Sequence, residues 1–242
     1  MKKISGRFSS LLKIFSIILF ISACSGAEFF HISPVRPIDE LIPEALMAQP
    51  PEESGTFRDA QLTEIIKLDP SIKLDIRYYS DNNFLSTPLY SQARAFLQRP
   101  AAEALIRVQN SLRELGYGLM VHDAYRPWYI TKVFWDATPP NLHDFVADPA
   151  KGSKHNRGCA VDLTLIELNT GEPAEMPSLY DEMSERANAV YKGGTDESRN
   201  LRDLLRTEME KEGFTVYEFE WWHFDYKDWQ LYKIQNIRFE EI

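Results

Sequence analysis

Apolar residues recur at helical spacing in two segments of the chain. One segment, residues 101–115, is followed by Gly116, and the other, residues 198–212, is followed by Gly213. Both patterns predict amphipathic helices with one apolar stripe and a glycine stop signal. The apolar positions are Ala101, Leu105, Val108 and Leu112 in the first helix, and Leu201, Leu204, Leu205 and Met209 in the second. A third helix is predicted to start within residues 131–135.

An alternation of apolar and polar residues predicts the strands. In residues 160–165, Val161, Leu163 and Leu165 share one face and Asp162 lies on the other. This pattern indicates a half-buried strand whose carboxylate points away from the apolar face. Residues 118–122 and the aromatic segment 216–226 predict further strands. Together these elements favour a single α+β domain, in which amphipathic helices pack on a mainly antiparallel sheet.

The first 23 residues have the pattern of an export signal. Four basic residues and no acidic ones accompany a short apolar run at residues 14–21, which is too short to span a bilayer. Residues 21–24, Ile-Ser-Ala-Cys, resemble a bacterial lipobox, so we expect acylation of Cys24 and a lipid anchor in a membrane. The predicted location is the bacterial cell envelope, facing the periplasm or the exterior. An ordinary signal peptide with a chance cysteine, or an uncleaved anchor, is the alternative.

Residues 24–60 differ in composition from the rest of the chain. They show little periodicity and predict a tether or a segment that wraps the surface. Residues 61–242 then form the predicted globular domain. The prolines of the tether are Pro34, Pro37, Pro43, Pro50 and Pro51.

Net charge and cysteine content limit the partners of the processed chain. The full chain carries a net charge of −9, and removal of the four basic residues of the leader leaves −13. An acidic body is not attracted to nucleic acid, whereas a small zwitterionic substrate is compatible with it. With Cys24 acylated, Cys159 is the one cysteine left, which excludes a disulfide within the chain.

Two histidines and two carboxylates form the candidate chemistry. His155 and Asp162 lie seven residues apart, and Glu220 and His223 lie three apart near the C-terminus. Catalytic zinc sites commonly use three protein ligands and keep one open position. We therefore expect His155, Asp162 and His223 to bind one Zn²⁺ per chain. Glu220 then remains as the general base that takes a proton from the attacking water.

The spacing of these residues leaves alternatives open. Residues three apart on a regular strand face opposite sides, so Glu220 and His223 share a site only if the strand is bulged or ends near Trp222. On spacing alone, unrelated polar residues are an equal alternative to a zinc site. Cys159 lies between two expected ligands and could be a fourth. The strand alternation places it opposite Asp162, which favours a small core residue.

Several segments around these residues resemble the zinc D-Ala-D-Ala peptidases. Ser-x-His-x-x-Gly-x-Ala-x-Asp at residues 153–162 and Glu-x-Trp-His at residues 220–223 are similar to the signature of that family. Four segments resemble its VanX-type dipeptidase branch, over roughly residues 62–230 in all. They are the substrate loop at residues 75–84, the Asp-Ala-Tyr-Arg-Pro element at residues 123–127, the segment 155–165, which matches almost throughout, and the loop ending in an aromatic–Asp pair at residues 170–181.

The resemblance implies roles for four further residues. Arg126 would stabilise the oxyanion, for which a fixed guanidinium beside a cation is suited. Ser153 would hydrogen-bond the substrate, and Tyr78 and Asp181 would hold its free ammonium group. Without the resemblance, Arg126 would be a structural or surface residue, Ser153 a turn or capping residue and Asp181 a helix cap. Pro177 stands where the family commonly has glycine, in the loop that carries Asp181.

The resemblance implies an enzyme that hydrolyses the dipeptide D-Ala-D-Ala to two D-alanines. A D,D-carboxypeptidase that trims peptidoglycan stem peptides is the first alternative, since it would use the same zinc residues. A lipoprotein that binds cell-wall peptides without catalysis is the second. A requirement for a free amino terminus on the substrate separates the dipeptidase from the carboxypeptidase.

Overall fold

The structure of the protein is a computed structural model, and it describes residues 30–242. Short 3₁₀ turns connect the helices and strands, and one of these turns, His155–Arg157, belongs to the candidate site. In chain order the elements are α1 (Ile38–Met47), β1 (Leu62–Glu64), α2 (Ile65–Leu68), β2 (Lys73–Leu74), β3 (Phe96–Gln98), α3 (Arg99–Glu114), β4 (Tyr117–Asp123), α4 (Trp128–Ala137), β5 (Ala160–Glu167), α5 (Asp196–Lys211), β6 (Phe214–Tyr217) and β7 (Glu220–Tyr226).

A five-stranded sheet with the order β2-β4-β5-β7-β6 carries the domain. The pairs β4–β5, β5–β7 and β6–β7 are antiparallel, and only β2 runs parallel to its neighbour β4. A separate antiparallel pair joins β1 to β3. The prediction of a single α+β domain with a mainly antiparallel sheet is therefore confirmed.

The helices predicted from apolar spacing are α3 and α5, and each begins two residues earlier than its pattern suggested. Pro100 lies in the first turn of α3, where its missing N–H has no helical partner to lose. The hydroxyl of Thr195 caps α5 by accepting a hydrogen bond from the Ser198 N–H at 3.0 Å. The predicted apolar stripes face the core, although Leu204 is only partly buried. The third helix, α4, begins at Trp128 and so starts before the predicted segment.

Strand β5 departs from the prediction of a half-buried strand. Residues 160–166 are all buried, because β5 lies between β4 and β7 and loops cover its second face. Tyr180, from one of these loops, hydrogen-bonds to Asp162 on that face. The carboxylate therefore points away from the apolar face, as predicted, but into a covered site and not into solvent.

The aromatic segment 216–226 contains parts of two strands and not one. Strands β6 and β7 form a hairpin that turns at residues 218–219. Val216 pairs with Phe224, but the next pair joins Tyr217 to Glu220. Residues 221–223 thus intervene on β7 while no residue intervenes on β6, and this constitutes a bulge.

The described part of the predicted tether lies against the domain. Helix α1 packs on α4 and buries Ile38, Leu41 and Ala45. Further along, the Glu53 carboxylate accepts hydrogen bonds from the Arg157 guanidinium at 2.5 Å and from the Ile234 N–H at 2.7 Å. Residues 1–29, which include the predicted signal peptide and Cys24, lie outside the described residues. From residue 30 onward, no helix has both the length and the apolar character needed to cross a membrane.

Candidate active site

Strand pairing brings two of the predicted metal ligands together. Asp162 on β5 and His223 on β7 are direct cross-strand partners, so their side chains project from the same face of the sheet. The distance from His223 Nδ1 to Asp162 Oδ1 is 3.0 Å. His155, in the 3₁₀ turn before β5, places its Nε2 3.3 Å from the same oxygen and 3.1 Å from His223 Nδ1. One ion can therefore contact all three side chains, which are buried.

The environment of Asp162 fits a bound cation. Its Oδ1 is buried and has no hydrogen-bond donor of suitable geometry among the described residues. An unsatisfied buried acceptor costs about 1–3 kcal/mol, so a cation at this point would remove a penalty that the fold otherwise carries. Burial alone raises the pKa of Asp162, but His155 and His223 hold it well below its usual value. The donor set of two imidazoles and one carboxylate is one that Zn²⁺ accepts.

Hydrogen bonds fix the orientation of both imidazoles. His155 Nδ1 lies 2.6 Å from the Ala124 carbonyl, and His223 Nε2 lies 2.9 Å from Asp225 Oδ1. Both partners are acceptors, so these nitrogens carry the protons and the opposite nitrogens face the centre of the site as free ligands. Lys154 Nζ lies 2.9 Å from the other oxygen of Asp225. Although burial acts in the opposite direction, His223 and Lys154 lower the pKa of Asp225 to about 2.

The bulge in β7 resolves how Glu220 and His223 reach one site. The Glu220 carboxylate lies 3.7 Å from His223 Nδ1 although the two residues are three apart on the strand. Of the two possibilities left by the sequence, the structure contains the bulge. Burial raises the pKa of Glu220 to about 7, an effect to which Asp162 adds and which His223 opposes. Glu220 does not belong to the group of converging ligand atoms, so its carboxylate is free to exchange a proton.

Arg126 is buried at the end of β4 and held from two sides. Its Nε and Nη2 lie 2.9 Å and 2.7 Å from Asp123 Oδ2, and its guanidinium lies 4.6 Å from the centre of the Phe134 ring. Asp123 is fully buried and also accepts a hydrogen bond from the Tyr90 hydroxyl at 2.7 Å. Arg126 Nη2 lies 3.9 Å from Asp162 Oδ2. A guanidinium in this setting is fixed beside the ligand cluster and is not a surface residue.

The Tyr78 hydroxyl donates to the carboxylate of Asp181 at 2.9 Å. Burial, reinforced by the charge of Asp162, raises the pKa of Asp181 well above its usual value. Such a carboxyl group favours a cationic partner. Asp181 has a φ of 58°, an uncommon conformation for a residue other than glycine. It does not cap a helix, because the next turn, Glu185–Ala187, is capped by the Ser184 side chain.

Ser153 and Cys159 complete the set of residues singled out by the sequence. The Ser153 hydroxyl accepts a hydrogen bond from the His155 N–H at 3.2 Å, so it stabilises the turn while it lines the cavity. Cys159 is fully buried in the hydrophobic core. Burial raises the pKa of its thiol to about 12, and it is absent from the converging ligands. It is therefore a small core residue and not a fourth ligand.

All eight predicted site residues of the described chain line one cavity of about 210 Å³. Sequence reasoning missed three residues that support them, namely Asp123, Asp225 and Tyr180. Asp225 carried a usable signal, because it lies two residues after His223 on one face of a strand. Asp123 and Tyr180 stand in segments that resemble the family, but the motifs alone do not show that Asp123 holds Arg126, three residues away, or that Tyr180 contacts Asp162. The eight residues are Tyr78, Arg126, Ser153, His155, Asp162, Asp181, Glu220 and His223.

The site indicates a metal-dependent hydrolase, because a His, Asp and His cluster lies beside a proton-accepting carboxylate and a fixed guanidinium. The model of the D-Ala-D-Ala dipeptidase family, peptidase family M15, matches residues 58–242. The chain therefore belongs to that family and is a peptidase, which confirms the resemblance recognised in the sequence.

Three relatives are similar to this chain over most of their own length. The D-alanyl-D-alanine dipeptidase of Escherichia coli K12 is 32% identical over 165 residues, which cover 68% of this chain and 84% of the relative. The dipeptidase of Enterococcus faecalis is 37% identical over 172 residues, covering 63% and 85%. That of Enterococcus faecium is 34% identical over 176 residues, covering 65% and 87%.

We predict that the purified protein binds about one equivalent of a divalent metal ion through this cluster. His155→Ala or His223→Ala should remove most of it, because each deletes one of three ligands. Cys159→Ala should retain it and serves as the control for a buried substitution next to β5. Metal content is measured by elemental analysis after dialysis. Full occupancy in both histidine variants would contradict the ligand assignment.

Proposed function

We propose that this peptidase hydrolyses the free dipeptide D-Ala-D-Ala to two D-alanines, with one Zn²⁺ held by His155, Asp162 and His223. One observation carries the proposal: the ligand cluster, a proton-accepting carboxylate, a fixed guanidinium and the hydrogen-bonded pair of Tyr78 and Asp181 line the same small cavity. The similar proteins of Escherichia coli and Enterococcus faecalis, which are named D-alanyl-D-alanine dipeptidases, support the same substrate.

Zinc suits the site and the reaction. Its usual ligands are imidazole and carboxylate groups, and a site with three protein ligands keeps one position open. A zinc ion there would lower the pKa of a coordinated water towards ~7 and polarise the scissile carbonyl.

Glu220 moves the proton in the proposed mechanism. It accepts a proton from the attacking water and delivers it to the amide nitrogen as the C–N bond breaks. A pKa of about 7 supports both steps, because a group that titrates near the working pH both accepts and returns a proton readily. Its position outside the ligand cluster leaves both carboxylate oxygens available for this work.

Arg126 stabilises the negative charge that develops on the carbonyl oxygen. Donors that are fixed before the reaction stabilise such a charge without a cost of reorganisation. The contacts of Arg126 with Asp123 and Phe134 restrict its guanidinium in this way. The Tyr90 hydroxyl in turn holds Asp123 by a hydrogen bond, so it stabilises the position of Arg126 indirectly.

Tyr78 and Asp181 bind the ammonium group of the dipeptide. A carboxyl group whose pKa burial has raised becomes more stable as an anion when a cation lies beside it. The free amino terminus of a dipeptide supplies that cation, and an acylated nitrogen cannot. This requirement excludes longer peptides and favours a dipeptidase over a D,D-carboxypeptidase.

We also propose that the protein acts in the cell envelope, anchored through acylated Cys24. The support is the sequence of residues 1–24, with its basic start, short apolar run and lipobox-like Ile-Ser-Ala-Cys. Multiple acyl chains would give a stable anchor, and the catalytic domain would face the periplasm or the exterior.

Replacement of the proposed base should separate catalysis from metal binding. Glu220→Ala should retain zinc and the fold but lose activity on D-Ala-D-Ala by ~100- to 10,000-fold, the usual contribution of a general base. Glu218→Ala, which removes an exposed carboxylate in the same hairpin, is the matched control and should be near wild type. Turnover is measured by release of D-alanine beside zinc content. Loss of zinc from the Glu220→Ala protein would instead show that Glu220 is a metal ligand.

The substrate prediction is a preference for a free amino terminus. Free D-Ala-D-Ala should be hydrolysed at least roughly 30-fold faster in kcat/KM than its N-acetyl form, which corresponds to ~2 kcal/mol for a lost charge pair. Asp181→Asn should narrow this ratio, whereas Glu185→Gln, an exposed change in the same loop, should preserve it. Equal rates on the free dipeptide and on N-acetylated or stem peptides would contradict the dipeptidase proposal and support the carboxypeptidase alternative.

The location is tested by substitution of the lipobox cysteine. In a bacterial host, the wild-type protein should occur in the membrane fraction and be released by detergent. Cys24→Ser should abolish incorporation of labelled fatty acid, and Cys159→Ser, which changes the other cysteine, should leave it intact. Continued acylation of the Cys24→Ser protein would show that the lipobox interpretation is wrong.

A further inference from the structure

Tyr180 lies between two parts of the site that the mechanism treats separately. Its hydroxyl lies 3.0 Å from Asp162 Oδ2 on one side and 3.2 Å from the Tyr78 hydroxyl on the other. Tyr78 in turn donates to Asp181 at 2.9 Å. A continuous series of polar contacts, none longer than 3.2 Å, therefore runs from Asp162 to the carboxylate proposed to bind the substrate ammonium.

On the metal side, Tyr180 determines which oxygen of Asp162 is available. An ionised carboxylate only accepts hydrogen bonds, so the Tyr180 hydroxyl is the donor in this contact. Within residues 30–242, no other hydrogen bond to Asp162 Oδ2 is present, and Arg126 Nη2 lies 3.9 Å away. With Oδ2 occupied in this way, Oδ1 faces the two histidines. Partners of this kind orient a ligand and tune its affinity for the metal.

On the substrate side, Tyr180 fixes the loop that carries Asp181. The two residues are adjacent, and Asp181 has the left-handed φ of 58°. A buried hydroxyl anchored to the sheet just before this residue restricts where its carboxylate can lie. The contact between the Tyr180 and Tyr78 hydroxyls sets the distance between this loop and Tyr78, the hydrogen-bond partner of Asp181.

The ring of Tyr180 is held by its surroundings and does not line the cavity. It packs edge-on against Trp222 with ring centres 5.4 Å apart, and its other neighbours are the His122 ring at 4.8 Å and the Arg77 guanidinium at 5.7 Å. Only 8% of the residue is exposed. Tyr180 therefore acts through the residues it contacts and not by touching substrate.

We propose that Tyr180 is a positioning residue whose single hydroxyl sets both the metal affinity of Asp162 and the recognition of a free amino terminus by Tyr78 and Asp181. The recognition half rests on the proposed function, whereas the metal half does not.

Tyr180→Phe tests this proposal because it removes the hydroxyl and keeps the ring. Zinc affinity, measured by competition with a chromogenic chelator, should fall by about 10- to 100-fold, the usual effect of losing a partner of a metal ligand. In a Glu220→Ala background, where turnover is suppressed, calorimetry gives the Kd ratio of N-acetyl-D-Ala-D-Ala to D-Ala-D-Ala. Tyr180→Phe should reduce this ratio several-fold.

Tyr125→Phe is the matched control. Tyr125 is also buried, and its hydroxyl bonds at 2.9 Å to the carbonyl and the N–H of Ile237, away from the cavity. This variant should lose thermal stability while zinc affinity and the Kd ratio stay at the wild-type values. A tyrosine with a merely structural role at position 180 would behave in the same way.

The outcomes are distinct. A fall in both zinc affinity and the Kd ratio supports the proposal, and a change in one alone, or in neither, overturns it. A Kd ratio near one for the Glu220→Ala protein with Tyr180 intact also overturns it. Such a protein would not recognise the free amino terminus, so Tyr180 would have no recognition to support. Failure of the wild-type protein to hydrolyse D-Ala-D-Ala contradicts the proposed function, yet the binding measurements still decide the role of Tyr180.

Discussion

The pairing of Asp162 with His223 across β5 and β7 is the contact on which the rest of the site depends. It places a carboxylate in the interior of the protein, where an unpaired charge is costly. The Tyr180 hydroxyl meets this cost at Oδ2, whereas Oδ1 has no donor in the described part of the chain and faces two imidazole nitrogens, where a cation would meet the rest. The loop that covers β5, the turn of His155 and the guanidinium of Arg126 all take their positions around this buried group.

The bulge in β7 allows Glu220 and His223 to have different roles in one site. On a regular strand, Glu220 would face away from His223, and the site would have a ligand but no adjacent base. The bulge brings both side chains to the cavity, while Asp162 and His223 remain register partners. The two carboxylates differ in their pKa values. His155 and His223 hold the pKa of Asp162 well below its usual value, whereas burial raises that of Glu220 to about 7.

The spacing of apolar residues predicted α3 and α5, their alternation with polar residues predicted β5, and the motifs identified the family. The same reasoning was wrong about the exposure of β5, since alternation reports which face is apolar but not whether a distant loop covers the polar one. It also merged β6 and β7, because two aromatic strands joined by a two-residue turn show no break in composition. The supporting role of Tyr180 was missed since it arises from contacts with Asp162 and Tyr78 in other segments. That of Asp123 was missed since a motif does not show which side chain its carboxylate contacts.

The bond between Glu53 and Arg157 has a consequence for where this domain begins. Arg157 follows His155 in the same turn, and its buried guanidinium is paired by a residue that precedes the family match at residue 58. Because Glu53 is only partly buried, losing this pair would cost less than the ~3–5 kcal/mol typical of a fully buried one, yet still a measurable share of the stability of an ordinary domain. The cooperative unit is therefore larger than the stretch of recognisable homology. A segment that precedes the family match thus braces the turn that carries a candidate metal ligand.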